Sequence, residues 1–137
     1  MMQQSPRLLF AVVLFLVAGC ASLSPLDRPK DFPLHATDHP FFDLHWRLDR
    51  EDGKLSAVGL VEAARQGNFF TVWLELRGLD KEGRVLSRGL GRTWKGNLYR
   101  WETQPFFVSV RPTGQEDRFE LGVWSYDWAS DNGDGKN

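Results

Sequence analysis

The most constraining feature of the chain is a switch to period-two hydropathy at Phe42. Phe42, Leu44, Trp46 and Leu48 alternate with Asp43, His45, Arg47 and Asp49. Phe70, Val72, Leu74 and Leu76 do the same against Thr71, Trp73, Glu75 and Arg77. Side chains along a strand point to opposite faces in turn, so such runs are half-buried strands. Between them stand turn signals: Glu51-Asp52-Gly53-Lys54, Gly67-Asn68, Asp80-Lys81-Glu82-Gly83 and Pro112-Thr113-Gly114. Further strands are expected over Leu55–Ala63, Val85–Gly91, Phe106–Val110 and Phe119–Trp128. The second of the series is apolar on both faces near Val58–Val61, which marks it as central. Six to seven short strands at this spacing predict an all-β fold: a single antiparallel, immunoglobulin-like β-sandwich over residues 42–128. Residues 88–104 read less simply, as a hairpin turning at Gly96-Asn97 or as a long loop projecting from the sandwich.

Three stretches also carry a family likeness. Ala57-Val58-Gly59-Leu60-Val61-Glu62, then Trp73-Leu74-Glu75-Leu76, then Leu79-Asp80-Lys81-Glu82-Gly83-Arg84-Val85 follow one another. This order resembles the small sandwich of FxLYD-like domains on bacterial envelope proteins, over roughly residues 54–128. The resemblance implies a non-catalytic domain exposed in the cell envelope.

The N-terminus reads as an address. Arg7 supplies a positive charge, and Leu8 to Ala18 is an unbroken apolar run of signal-peptide length. It ends in Val17-Ala18-Gly19-Cys20, which resembles the lipobox of bacterial lipoproteins. The resemblance implies removal of residues 1–19 as a signal peptide and lipidation of Cys20. That cysteine would carry a thioether-linked diacylglycerol and an amide-linked acyl chain such as palmitate. Several chains together moor a protein stably where one is marginal, because each buried CH₂ contributes about 0.8 kcal/mol. Ala21 follows the cysteine, which in a Gram-negative envelope resembles the outer-membrane default, on the periplasmic face. Residues 20–41 hold Pro25, Pro29, Pro33 and Pro40 and read as an extended lipidated linker. Residues 129–137 read as a disordered polar tail.

Composition narrows the function classes. The 137 residues carry a net charge of −1, which does not fit a nucleic-acid binder. A single cysteine excludes an intramolecular disulfide and any multi-cysteine metal cluster. His35, His39 and His45 lie close in sequence, but two of them fall in the proline-rich linker. No metal site and no cofactor is therefore expected. Asp131 to Gly135 mimics part of a calcium loop, yet the chain ends before its twelfth position. Nucleophile elbows, Ser-x-x-Lys and phosphate-binding glycine loops are missing, so no catalysis is expected.

Two surface candidates remain. Trp124, Tyr126 and Trp128 share one parity of the last strand: an aromatic platform if they face outward, core if inward, with core expected. The segment 84–101 contains no acidic residue. Within it Arg88, Arg92, Lys95 and Arg100 interleave with Trp94 and Trp101, a composition suited to anions through bidentate bonds and cation–π contact. The expected partners are the membrane, through the lipid, and an envelope protein. The alternative partner is an anionic lipid headgroup or glycan, held by Arg88, Arg92, Trp94, Lys95, Arg100 and Trp101.

Overall fold

The computed structural model describes residues 28–65, 67–94 and 96–129. A 3₁₀ turn at Pro29–Asp31 precedes eight strands: β1 (Leu34–Ala36), β2 (Phe42–Glu51), β3 (Lys54–Ala63), β4 (Asn68–Leu79), β5 (Val85–Thr93), β6 (Leu98–Tyr99), β7 (Thr103–Val110) and β8 (Arg118–Trp128). All pairings are antiparallel. The path runs β1-β2-β3-β7-β5-β4, with β8 on the far edge of β4 and β6 against the start of β4. The fold is all-β, one antiparallel sheet curled into a half-barrel whose two halves face each other as in a sandwich. Among the described residues no helix is long and apolar enough to cross a membrane.

The turns work as their residues dictate. Asp52 and Gly53 both have positive φ, so the β2–β3 hairpin closes with two residues in the twist that suits its strands. In the β4–β5 turn the Asp80 carboxylate accepts the backbone N–H groups of Glu82 and Arg84 at 3.0 and 2.8 Å. The bond from the Arg84 backbone, with its guanidinium alongside, holds the Asp80 carboxyl below the usual range.

The core is the inner face of the curl. Phe42 and Leu44 of β2, Val61 of β3, Phe69, Val72, Leu74 and Leu76 of β4, Leu98 of β6, and Phe106 and Val108 of β7 are all buried. One end is filled by rings, with Phe42 and Phe69 centred 4.6 Å apart and Tyr126 edge-on to both. β3 is central, as its two apolar faces predicted.

The sheet bends sharply where β5 meets β7. The inward residues of β5 are Ser87, Gly89, Gly91 and Thr93, not large apolar groups. A Cβ on Gly89 would lie 2.8 Å from the Ser109 carbonyl carbon and nearer still to its oxygen. Small residues here let one backbone lie directly against another. Pro105 sits in β7 just before its pairing with β5 begins at Phe106, so its missing N–H disrupts no ladder on that side.

Two differences from the sequence reading concern boundaries. The linker read as 20–41 contains β1, and Phe32 is buried, so its last part is built into the sheet. The stretch 88–104 is neither a simple hairpin nor a free loop. β5 runs to Thr93, β6 docks on β4, and β7 starts at Thr103.

Candidate functional site

The outward stripe of β5 is Arg88, Leu90 and Arg92, continued just past the strand by Trp94, all exposed, as their shared parity requires. Its neighbours decide what each can do. Arg88 stands beside Glu75 of β4 at 3.1 Å, and Glu75 also meets Arg77 at 3.4 Å. Arg77 in turn reaches Glu120 of β8 at 3.3 Å. The acid-free segment thus meets acids from other strands, and Arg88 is partnered within the sheet. Arg84 is likewise taken up by Asp80 at 2.7 Å.

Arg92 is different. It lies in register between Trp73 of β4 and Phe107 of β7. Its guanidinium is 5.7 Å from the centre of the Trp73 ring, a cation–π distance. With Thr93, Trp94 and Phe107 it lines an open depression of about 500 Å³. Trp94 is 70% exposed. Lys95 lies outside the described residues.

The chain then turns at Tyr99–Glu102. The Glu102 N–H donates to the Tyr99 carbonyl at 2.9 Å, and the Glu102 carboxylate accepts the Tyr99 N–H at 3.1 Å. Trp101 occupies the third position of this turn with φ +67°, a position that favours glycine. It is 63% exposed, and Arg100 stacks 4.9 Å from its ring centre. The turn is fastened from below: the Trp101 N–H donates to the Ala63 carbonyl at 2.8 Å. The buried Gln104 amide donates to the Gly96 and Asn97 carbonyls at 3.1 and 2.9 Å. A strained, exposed tryptophan on a well-anchored turn adds nothing to the core, which makes it a candidate contact residue.

β8 presents a second surface. β4 is its only partner among the described residues, so its other edge, eleven residues long, is unpaired there. Two irregularities in its pairing with β4 change the facing of the side chains. Leu121 and Val123 face the core, then Trp124 is the extra residue of a bulge, then Tyr126 packs inward. The three rings therefore do not share one environment. Tyr126 packs on the core, whereas Trp124 and Trp128 are 59% and 57% exposed. The expectation of a common core face fails because parity does not survive a bulge. Between β8 and the β1–β2 edge runs a groove of about 360 Å³, lined by Ala36, His39, Leu44, Arg77, Glu120 and Val123.

The histidines also depart from the linear reading. His35 and His45 are cross-strand partners with their Nδ1 atoms 2.7 Å apart. His39 stacks on Phe42 at 5.1 Å and accepts the Phe41 N–H. Among the described residues no three His, Cys, Asp or Glu side chains gather as metal ligands. The missed signal was the pairing of β1, hidden by the prolines around it.

Cys20 and the tail mimicking a calcium loop lie outside the described residues. No family model matches the chain, and no curated protein or solved structure matches it either.

Proposed function

We propose that this is a lipid-anchored cell-envelope protein, moored through Cys20, that presents its curled sheet as an interaction module and carries no chemistry of its own. The observation that carries the reading is the outer edge of β8, which no strand among the described residues pairs. Soluble domains blunt long edges with lysine, proline, a bulge or a covering segment, because open N–H and C=O groups invite another strand, and of these β8 has the bulge at Trp124. β8 contains neither lysine nor proline, and its stretch from Leu121 to Tyr126 is uncharged. Two tryptophans more than half exposed stand on it. Such an edge suits strand addition by an envelope protein, with backbone bonds giving affinity and the rings giving selectivity.

A photo-crosslinking residue at Trp124 should capture one defined partner in intact cells, and one at Lys54, exposed at the β2–β3 turn, should not. Equal, diffuse capture from both positions would refute the module. Fatty-acid labelling should mark the wild-type protein and miss Cys20→Ser. Labelling that persists in the variant would refute the anchor.

A second reading is supported by the Arg92–Trp94–Phe107 depression and the Arg100–Trp101 turn. Here an anionic lipid headgroup or glycan is the ligand, with rings stacking on the sugar or interfacial groups and the guanidinium groups meeting the charge. Salt-sensitive binding to anionic vesicles or cell-wall material that is lost in Arg92→Ala and Arg100→Ala, but kept in Arg88→Ala, distinguishes this reading.

A further inference from the structure

The N-terminal edge strand is three residues long, too short for backbone pairing alone to hold it firmly. Among the described residues its one polar side-chain tie to the sheet is the pair His35–His45. A 2.7 Å contact between two Nδ1 atoms is a hydrogen bond only if one nitrogen carries a proton and the other does not. His45 is 8% exposed, and its Nε2 is buried without a hydrogen-bond partner, 3.7 Å from the Glu62 carboxylate of β3. The geometry suits a neutral His45 whose Nε2–H points toward Glu62 and whose Nδ1 accepts from His35. A proton on the His45 Nδ1 meets the donor of His35 and removes the bond.

We propose that the His35–His45 pair is an acid-released clasp that holds β1 against the sheet. The charges around it are few. On β2, Asp43 lies on the same side as His45, while Arg47 is engaged by Asp49 at 3.3 Å. On β3 the only charged group facing the pair is Glu62. β7, beyond it, brings only Thr103 and Pro105 to this level. Asp43 and Glu62 favour a charged His45, whereas burial and His35 oppose it, and the opposition prevails in the closed state. Once β1 leaves, the His45 ring is solvated and takes up a proton freely, so acid drives opening. Release bares the β2 edge at Leu44–Trp46. With Phe32 drawn out of its buried seat as well, it frees residues 28–37, a length of about 30 Å at about 3.1 Å per residue. The clasp stands without the lipid anchor, and only the meaning of the added reach as a longer tether rests on that reading.

The test is amide exchange of the full chain at pH 7.5 and 5.0, corrected for intrinsic rates, with β3 as internal reference. Opening of residues 34–36 should rise at least about threefold between pH 7.5 and 5.0, short of the roughly tenfold per pH unit that one fully excluded proton allows, while β3 stays constant. His45→Phe keeps a ring but cannot titrate, so its β1 should open to the same extent at both pH values. Glu62→Gln removes a group that favours the charged ring and should enlarge the acid response. Equal β1 protection at both pH values in the wild type overturns the clasp. So does an unaltered response in either variant. Fatty-acid labelling of Cys20 is read separately, so loss of the anchor and loss of the clasp are distinct results.

Discussion

Gly89→Ala tests the claim that the half-barrel exists because β5 and β7 touch backbone to backbone. The new Cβ would lie 2.8 Å from the Ser109 carbonyl carbon and 3.2 Å from the Val110 Cβ. Ordinary contact needs 3.4–4 Å, so β7 must retreat by at least half an ångström. It has little freedom to do so, because β3 holds its other edge from Leu55↔Val110 to Glu62↔Thr103. Overpacking of this kind costs about 1–3 kcal/mol, and loosening the pairing at Arg92↔Phe107 adds about 1 kcal/mol. A total of about 3 kcal/mol lowers the midpoint of a domain this size by about 12–24 °C. Gly122→Ala is the control: nothing lies within 4 Å of its added Cβ, so it should stay within about 0.5 kcal/mol of wild type. Thermal unfolding followed by near-ultraviolet circular dichroism measures both. If the two variants melt together, or Gly89→Ala melts within about 3 °C of wild type, the packing argument is wrong.

Other outcomes follow from the same structure. Burial, the larger effect, lowers the His45 pKa below 6.5 and does the same for His39, with Glu62 and Asp38 opposing. Both bind protons less readily folded than unfolded, so stability is full above about pH 6.5 and declines as pH falls below it. Urea unfolding between pH 8 and 5 should give a falling midpoint, and a flat one would contradict the burial of these rings. Glu116 is pushed up by burial, but bonds from the Thr113 N–H and hydroxyl and its own amide outweigh this and hold it at about 2. Its contribution is present above pH 4.5 and lost as pH falls toward 2. Glu116→Gln should remove that acid slope and speed amide exchange at Thr113 and Gly114, and unchanged exchange would show that the carboxylate does not order this loop. Trp101→Gly relieves the left-handed strain and should leave stability within about 1 kcal/mol of wild type. A loss beyond about 2 kcal/mol would mean the ring supports the core instead of standing free for contact.

Much of this architecture was legible in the chain because it rests on local chemistry. Period two marks strands whatever they pair with, and Asp52-Gly53 and Asp80 to Gly83 close hairpins from their own backbone preferences. Of the candidate site, the outward parity of Arg88, Leu90, Arg92 and Trp94 was readable for the same reason. What each of these residues touches was not. Glu75 takes Arg88 out of the anion-binding set from a neighbouring strand, and Trp73 and Phe107 build the surroundings of Arg92. Trp124 and Tyr126 point apart because a bulge resets the alternation, and a bulge arises only when two strands of unequal local length are matched.

His35 shows the same division. Beside four prolines it reads as part of a solvated spacer, and only the pairing of β1 with β2 sets it against a buried ring. Local preference follows the order of residues along the chain, so the sequence by itself determined the strands and their turns. Contact between strands depends on register, curl and the close approach that Gly89 and Gly91 permit, and those are decided only when the whole sheet closes on its core.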